Sequence, residues 1–205
     1  MELSHKAQRV LGTLVEKAMT KPDGYPLPAS LLRTACNQKT GRDPIVLYSD
    51  QDVTEGIRDL REHHLILTKH QPGSRSPKFA HMLRETLDLK DAQIAALGIL
   101  LLRGAQTVGE VKGRTGRMHP YASIEEVEEV LQGLIDHKFH GAIVERLPPQ
   151  PGQKEERWRH VLGPAAIPTA EAPADDTELQ ALRTEVAELR ERNATLMTEI
   201  TELHA

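Results

Sequence analysis

The sequence of 205 residues holds a single cysteine, Cys36, so no intramolecular disulfide can staple the fold. Cys36 lies beside Leu31, Leu32 and Ala35 in an apolar helical stretch, where a thiol serves as a small buried hydrophobe rather than a nucleophile. No run approaches the ~20 apolar residues that a membrane-spanning helix needs, and Met1-Glu2-Leu3-Ser4-His5-Lys6 lacks the charged and apolar regions of a signal peptide. A cytoplasmic protein is expected. A Gly-rich phosphate loop, a nucleophile elbow and a paired catalytic set are also missing, which places enzymes last among the function classes. There are ten histidines, but only His137-Lys138-Phe139-His140 is closely spaced, with no His-Glu-x-x-His string and no second cysteine to complete a tetrahedral site. Neither a metal nor any other cofactor is expected.

What is present is a repeated layout. Three amphipathic stretches and two short strand-like runs around a Pro/Gly-rich loop occupy residues 3–83 and again residues 89–162. The closing strands align residue by residue, Lys78-Phe79-Ala80-His81-Met82-Leu83 with Arg157-Trp158-Arg159-His160-Val161-Leu162. With 39% hydrophobic residues, the chain can support two domains of about 80 residues, each near the lower size for an independent core. Two small cores are expected rather than one. The fold class is α+β, mainly α with small β-wings. Winged-helix domains span residues 1–85 and 86–162, a Pro/Ala-rich linker 163–176, and a leucine-zipper-like coiled coil 177–205.

Local signals place the elements. Ser4 caps a first helix with Val10, Leu11, Leu14, Val15 and Ala18 on one face, ended by Pro22-Asp23-Gly24. A second helix starts near Pro28 and ends around Asn37. The third starts at Ser49, with Asp52 three residues on, and carries Val53, Ile57 and Leu60 inward. Strands follow at 65–68 and 79–83. In the second copy, Ile94, Leu97, Leu100 and Leu101 mark the first helix, and Val127, Val130, Leu131 and Leu134 mark the third. Thr107 with Glu110 and Ser123 with Glu126 have the form of capping boxes, and strands are expected at 143–146 and 157–162.

The tail has a strict seven-residue period. Leu179, Val186, Asn193 and Ile200 occupy successive a positions, and Leu182, Leu189, Leu196 and Leu203 occupy d. Leucine at every d with one asparagine at a favours a parallel two-stranded coil, in which Glu178 can reach Arg183 and Glu185 can reach Arg190. A parallel homodimer is the expected assembly. The residues before the coil, Pro173-Ala174-Asp175-Asp176, carry no basic run, so it is not a basic zipper.

Three strings carry a resemblance over about residues 3–162. They are Glu16-Lys17 through Tyr25-Pro26-Leu27 with Ala35-Cys36-Asn37-Gln38-Lys39, then Leu101-Leu102-Arg103-Gly104-Ala105-Gln106-Thr107, then Pro151-Gly152-Gln153. The chain resembles the YceH-like family of uncharacterised bacterial proteins, with Lys6-Ala7 departing from the acidic residue expected near the start of the first helix. The resemblance implies paired winged-helix domains and brings no activity with it. The zipper tail lies outside it.

Charge placement separates the function classes. The net charge of -4 divides into +3 over residues 1–85, -1 over 86–162 and -6 over 163–205, so only the first copy leans basic. Its third helix offers the mixed set Asp50, Gln51, Thr54, Glu55 and Arg58 to a major groove, whereas that of the second copy offers Glu125, Glu126, Glu128, Glu129 and Gln132, whose four carboxylates would repel phosphates. Acids near a helix N-terminus are most often a solvated face favoured by the dipole. The basic turns and wings, Gln38, Lys39 and Arg42, then Arg75 and Lys78, then Arg114 and Arg117 with Lys112, are suited to phosphate contacts that orient a protein without reading sequence. Phe79 and Trp158 read as anchors packing each wing, and His81 and His160 as residues that satisfy local structure.

Two functions follow. One is a dimeric protein associated with double-stranded DNA through Gln38, Lys39, Arg42, Arg58, Arg75, Lys78, Arg114 and Arg117. The other is an adaptor that binds a protein partner through Glu125, Glu126, Glu128 and Glu129, without direct DNA binding. A membrane partner is not expected.

Overall fold

Ser4 opens the first helix as its sequence position suggests, its Oγ accepting the Ala7 N–H at 3.2 Å. The helix, α1 (His5–Thr20), ends where Pro22–Gly24 forms a 3-10 turn. The computed structural model describes residues 1–70, 76–138, 141–149, 152, 155–164, 184 and 192. These belong to two units, Met1–Ile167 and Pro168–Ala205. In the second, Thr184 and Arg192 are helical. The linker beyond Pro164, Arg75 and all eight expected coil-interface residues, Leu179, Leu182, Val186, Leu189, Asn193, Leu196, Ile200 and Leu203, lie outside the described residues.

The first unit is α+β and mainly helical. After α1 come β1 (Leu27–Pro28), α2 (Ala29–Cys36), α3 (Asp50–Glu62), β2 (Ile66–Lys69) and β3 (Lys78–His81). The second half adds α4 (Leu83–Leu87), α5 (Asp91–Arg103), α6 (Val108–Thr115), α7 (Ile124–Ile135), β4 (Val144–Leu147) and β5 (Arg157–His160). Each half has a winged-helix-like order, and the repeat is visible in the backbone. Phe79 of β3 pairs with Leu27 and Thr68, and Trp158 of β5 pairs with Gln106 and Arg146. Met82 N–H donates to the Leu65 carbonyl as Val161 N–H donates to that of Ile143.

Three features differ from the sequence expectation. The two-residue β1 makes the first sheet three-stranded, in the order β1-β3-β2; a segment this short, ending in Pro28, gives no alternating pattern to read. Leu83, expected to end a strand, instead starts α4. The Ser123/Glu126 capping box is half made. Ser123 Oγ accepts the Glu126 N–H at 3.2 Å, but the Glu126 carboxylate turns back to the Ala122 N–H at 2.6 Å. The Thr107/Glu110 box is reciprocal, at 3.2 Å and 3.0 Å.

The buried residues of both halves form one cluster, where length had suggested two small cores. The cause lies in α1 and α5. Nine consecutive residues of each, Ala7 to Val15 and Ile94 to Leu102, are buried, so neither helix has the single apolar stripe of a surface helix. Glycine allows their close approach. A Cβ on Gly98 would lie 2.6 Å from Val15 Cγ1, and one on Gly12 would lie 2.9 Å from Leu101 Cβ. Leu3 N–H also donates to the Leu162 carbonyl at 2.6 Å, closing the two ends of the unit on each other.

Cations and amides inside the first half position the chain between α2 and α3. Arg9 is fully buried and donates to the Pro44 carbonyl at 2.6 Å, and burial lowers its pKa. Asn37 holds Tyr48 at both backbone groups, accepting its N–H and donating to its carbonyl, each at 2.8 Å. Cys36 is buried beside Thr13, and burial pushes its thiol up, as expected of a core residue. Phe79 and Trp158 are 5% and 4% exposed, consistent with anchors. Among the described residues no helix is long and apolar enough to cross a membrane.

Candidate nucleic-acid interface

The chain reverses sign of charge between two surface depressions of the first unit. One, of about 560 Å³, lies between the first and second halves. Its cationic lining is Lys17, Lys21, Lys39, Arg103, Arg114 and Arg117, against the single carboxylate Glu16 among the described residues. Four residues expected to contact phosphate, Gln38, Lys39, Arg114 and Arg117, are thus brought together from the two halves of the first unit. Lys17, Lys21 and Arg103 complete the cleft and were not singled out from sequence.

Local structure explains part of this charge. Lys17 lies in the last turn of α1, Lys21 caps it, Arg103 ends α5 and Arg114 lies in the last turn of α6. Cations at helix C-termini are favoured by the dipole, but each helix end supplies only about half a negative charge. Three such ends and one carboxylate offset less than half of the charge of six cations. Lys17 pairs with Glu16 at 2.9 Å and Arg114 with Glu110 at 3.1 Å. Lys21, Lys39, Arg103 and Arg117 have no ion pair among the described residues. Burial, followed by the like charge of Arg114, lowers the Arg103 pKa from the usual guanidinium range. Such crowding is relieved by an anion in the cleft.

Arg42 does not contribute as expected. Its side chain is completely buried and makes a double hydrogen bond to Glu16 at 2.7 and 3.1 Å, with further bonds to the Ala35 and Gly41 carbonyls. A buried guanidinium needs a carboxylate, and this one holds the turn after α2 instead of meeting solvent. The Gln38 carbonyl oxygen is engaged from both sides, accepting from Lys17 and Arg42 at 3.2 Å each. Arg58 lies elsewhere, in a depression with Glu55, Asp59 and Glu62. Lys78 sits on β3 opposite Lys69, apart from the cleft lining.

The second depression, of about 1080 Å³, lies between α7 and the second wing. Glu128 and Glu129 face Glu155 and Glu156 across it, with Ile124 and Trp158 among its apolar lining. Arg146 is its one cation among the described residues; it pairs with Glu156 and stands 5.8 Å from the Trp158 ring centroid. Glu125 and Glu126 do not line it. Glu126 caps the Ala122 N–H, and hydrogen bonding at the helix start, first from its own backbone and then from Ser123, lowers the pKa of Glu125. Of the four acids expected to face a partner, two do local structural work.

A family model described as "Protein of unknown function, DUF480" matches residues 3–153. The chain is 44% identical over 193 residues to a UPF0502 protein of Opitutus terrae, covering 92% of this chain and 83% of that one. It is 40% identical over 179 residues to the UPF0502 protein of Saccharophagus degradans, covering 85% and 79%. With the UPF0502 protein of Enterobacter sp. (strain 638) it shares 37% identity over 214 positions, covering 98% of this chain and 99% of that one. That span reaches into the heptad segment, so the likeness extends past the limit near residue 162 that the sequence strings suggested. With three quarters of its length under one family model and relatives matched nearly end to end, the chain belongs to the DUF480 family of uncharacterised bacterial proteins, whose members are called UPF0502 proteins.

Proposed function

We propose that this is a non-enzymatic, cytoplasmic, dimeric tandem winged-helix protein that associates with double-stranded DNA through phosphates seated in the cleft between α1 and α5. One observation carries the reading: six cationic side chains from both halves converge around one carboxylate, and four of them lack an ion pair among the described residues. Phosphate neutralisation supplies most of the sequence-independent affinity of proteins for DNA. The heptads of the tail support a dimer, and pairing two clefts raises their effective concentration on adjacent DNA. A salt titration of duplex binding by fluorescence anisotropy tests the proposal. Affinity falls steeply with salt, and the double variant Arg103→Glu, Arg117→Glu binds on the order of 100-fold more weakly at low salt. No binding by the parent protein at low salt contradicts it.

The groove at α7 favours a second reading, an adaptor. Four carboxylates around an exposed Ile124 complement a cationic protein segment with an apolar anchor. On this reading, Glu128→Lys with Glu129→Lys removes partners recovered by crosslinking that the cleft variant retains. An unchanged partner set in the groove variant counts against an adaptor.

A further inference from the structure

The same interface restricts the form of nucleic acid it takes and how that form is read. Both helices that could enter a major groove are unsuited to base edges. In α3, Asp50 pairs with Arg33 at 3.0 Å, and Asp52 and Glu55 hold Lys6 at 2.7 and 2.5 Å. Gln51 donates to Glu55 at 3.0 Å, and the Thr54 hydroxyl donates to the Asp50 carbonyl at 2.8 Å. These groups, which would otherwise hydrogen-bond bases, are therefore engaged within the protein. Arg58 is the exception, and it lines a depression in which Glu55, Asp59 and Glu62 outnumber Lys6 and Arg58 itself. In α7 the exposed positions Glu125, Glu128 and Glu129 have the sign of DNA itself.

Among the described residues the cleft supplies charge without aromatic rings. Besides its cations and Glu16 it is lined by Thr20, Gln38, Thr40, Gly41, Ile99 and Met118. Proteins that take single strands combine a basic groove with aromatic faces on which unpaired bases stack. An unstacked base has no such partner here, whereas a duplex presents phosphates while its bases remain stacked on each other.

We infer that the cleft grips a phosphate ridge of duplex DNA without reading base sequence and with neither third helix in the major groove. This rests on the proposed DNA association and specifies its mode. The two halves act as one reader, because Lys17, Lys21 and Lys39 come from the first and Arg103, Arg114 and Arg117 from the second. With four to six phosphates neutralised, the slope of log affinity against log salt is about -3.6 to -5.4.

The test uses the full chain, labelled duplexes of about 20 base pairs with unrelated sequences, and their single strands, titrated from about 50 to 200 mM salt. Duplex affinities agree within about threefold and share one slope, and single strands bind at least about tenfold more weakly. Gln51→Ala with Arg58→Ala leaves duplex binding unchanged, while Lys39→Glu with Arg117→Glu, both exposed positions, weakens it on the order of 100-fold with the circular dichroism spectrum retained. A spread above tenfold among duplexes, single strands bound as tightly as duplexes, or equal losses in the α3 and cleft variants would overturn the inference and leave DNA association standing. No binding of either form at low salt would overturn both.

Discussion

Glu16→Ala is expected to lower stability by about 3 kcal/mol and, in the same protein, to tighten DNA binding several-fold. The stability loss comes from Arg42, whose side chain is 0% exposed and whose guanidinium receives its charge compensation from Glu16. Burial pushes the Glu16 carboxyl up, but hydrogen bonds and charge from Arg42, then Lys17, outweigh it and hold the pKa below the usual carboxylate range. Removing one member of such a pair leaves a buried cation, which costs roughly 3–5 kcal/mol. The lower end applies because Glu16 is 21% exposed and the Ala35 and Gly41 carbonyls still accept from Arg42. The affinity gain has the opposite sign because Glu16 is the cleft's one carboxylate among the described residues. Urea denaturation and anisotropy on the same preparation separate the two effects. A loss below about 0.5 kcal/mol, the range of an ordinary surface change, would show that the pair is not coupled as described.

Lowering the pH from neutral to about 4.5 is expected to destabilise the fold through His160. This ring is 4% exposed, and burial, then the like charges of Arg159 and His5, hold its pKa down at about 4 against 6.5 for a free imidazole. A depressed folded-state value means that the unfolded chain binds the proton first. The contribution of the neutral ring is complete above pH 6.5 and is lost as pH falls toward 4, with nothing further lost below that. The full gap corresponds to about 3 kcal/mol. Burial lowers the His81 pKa too, so that ring adds a loss in the same direction. Denaturant midpoints at several pH values show a smaller acid loss in His160→Leu than in the parent. An identical pH dependence in the two proteins would remove His160 as the cause.

Much of the first unit was legible from short-range signals. Ser4, Ser49 and Thr107 cap helices at the positions their sequence context implies, because capping depends on residues three apart. The repeated closing strands marked equivalent edges in the two sheets. What could not be read was how the repeats meet. Gly12 and Gly98 look like ordinary helix interruptions until Val15 and Leu101 are seen packed against them. Arg42 followed a similar course, because a basic residue after a helix reads as a surface turn unless its distant carboxylate is known, and Glu16 is 26 residues away. The cleft was half legible. Lys39, Arg114 and Arg117 announced themselves on glycine-flanked or loop positions, whereas Lys17, Lys21 and Arg103 looked like routine helix-end cations until α1 and α5 placed them on one surface.

Lysine footprinting distinguishes the cleft from the first wing most directly. The full chain is acetylated briefly with and without duplex DNA, and modification at each lysine is read by mass spectrometry. Lys21 and Lys39 line the cleft, while Lys69 and Lys78 face each other across β2 and β3 outside it. Duplex DNA is predicted to protect Lys21 and Lys39 several-fold and to leave Lys69 and Lys78 at their free rates. Protection of Lys69 and Lys78 with Lys21 and Lys39 unchanged would contradict the assignment of the cleft as the DNA-binding surface.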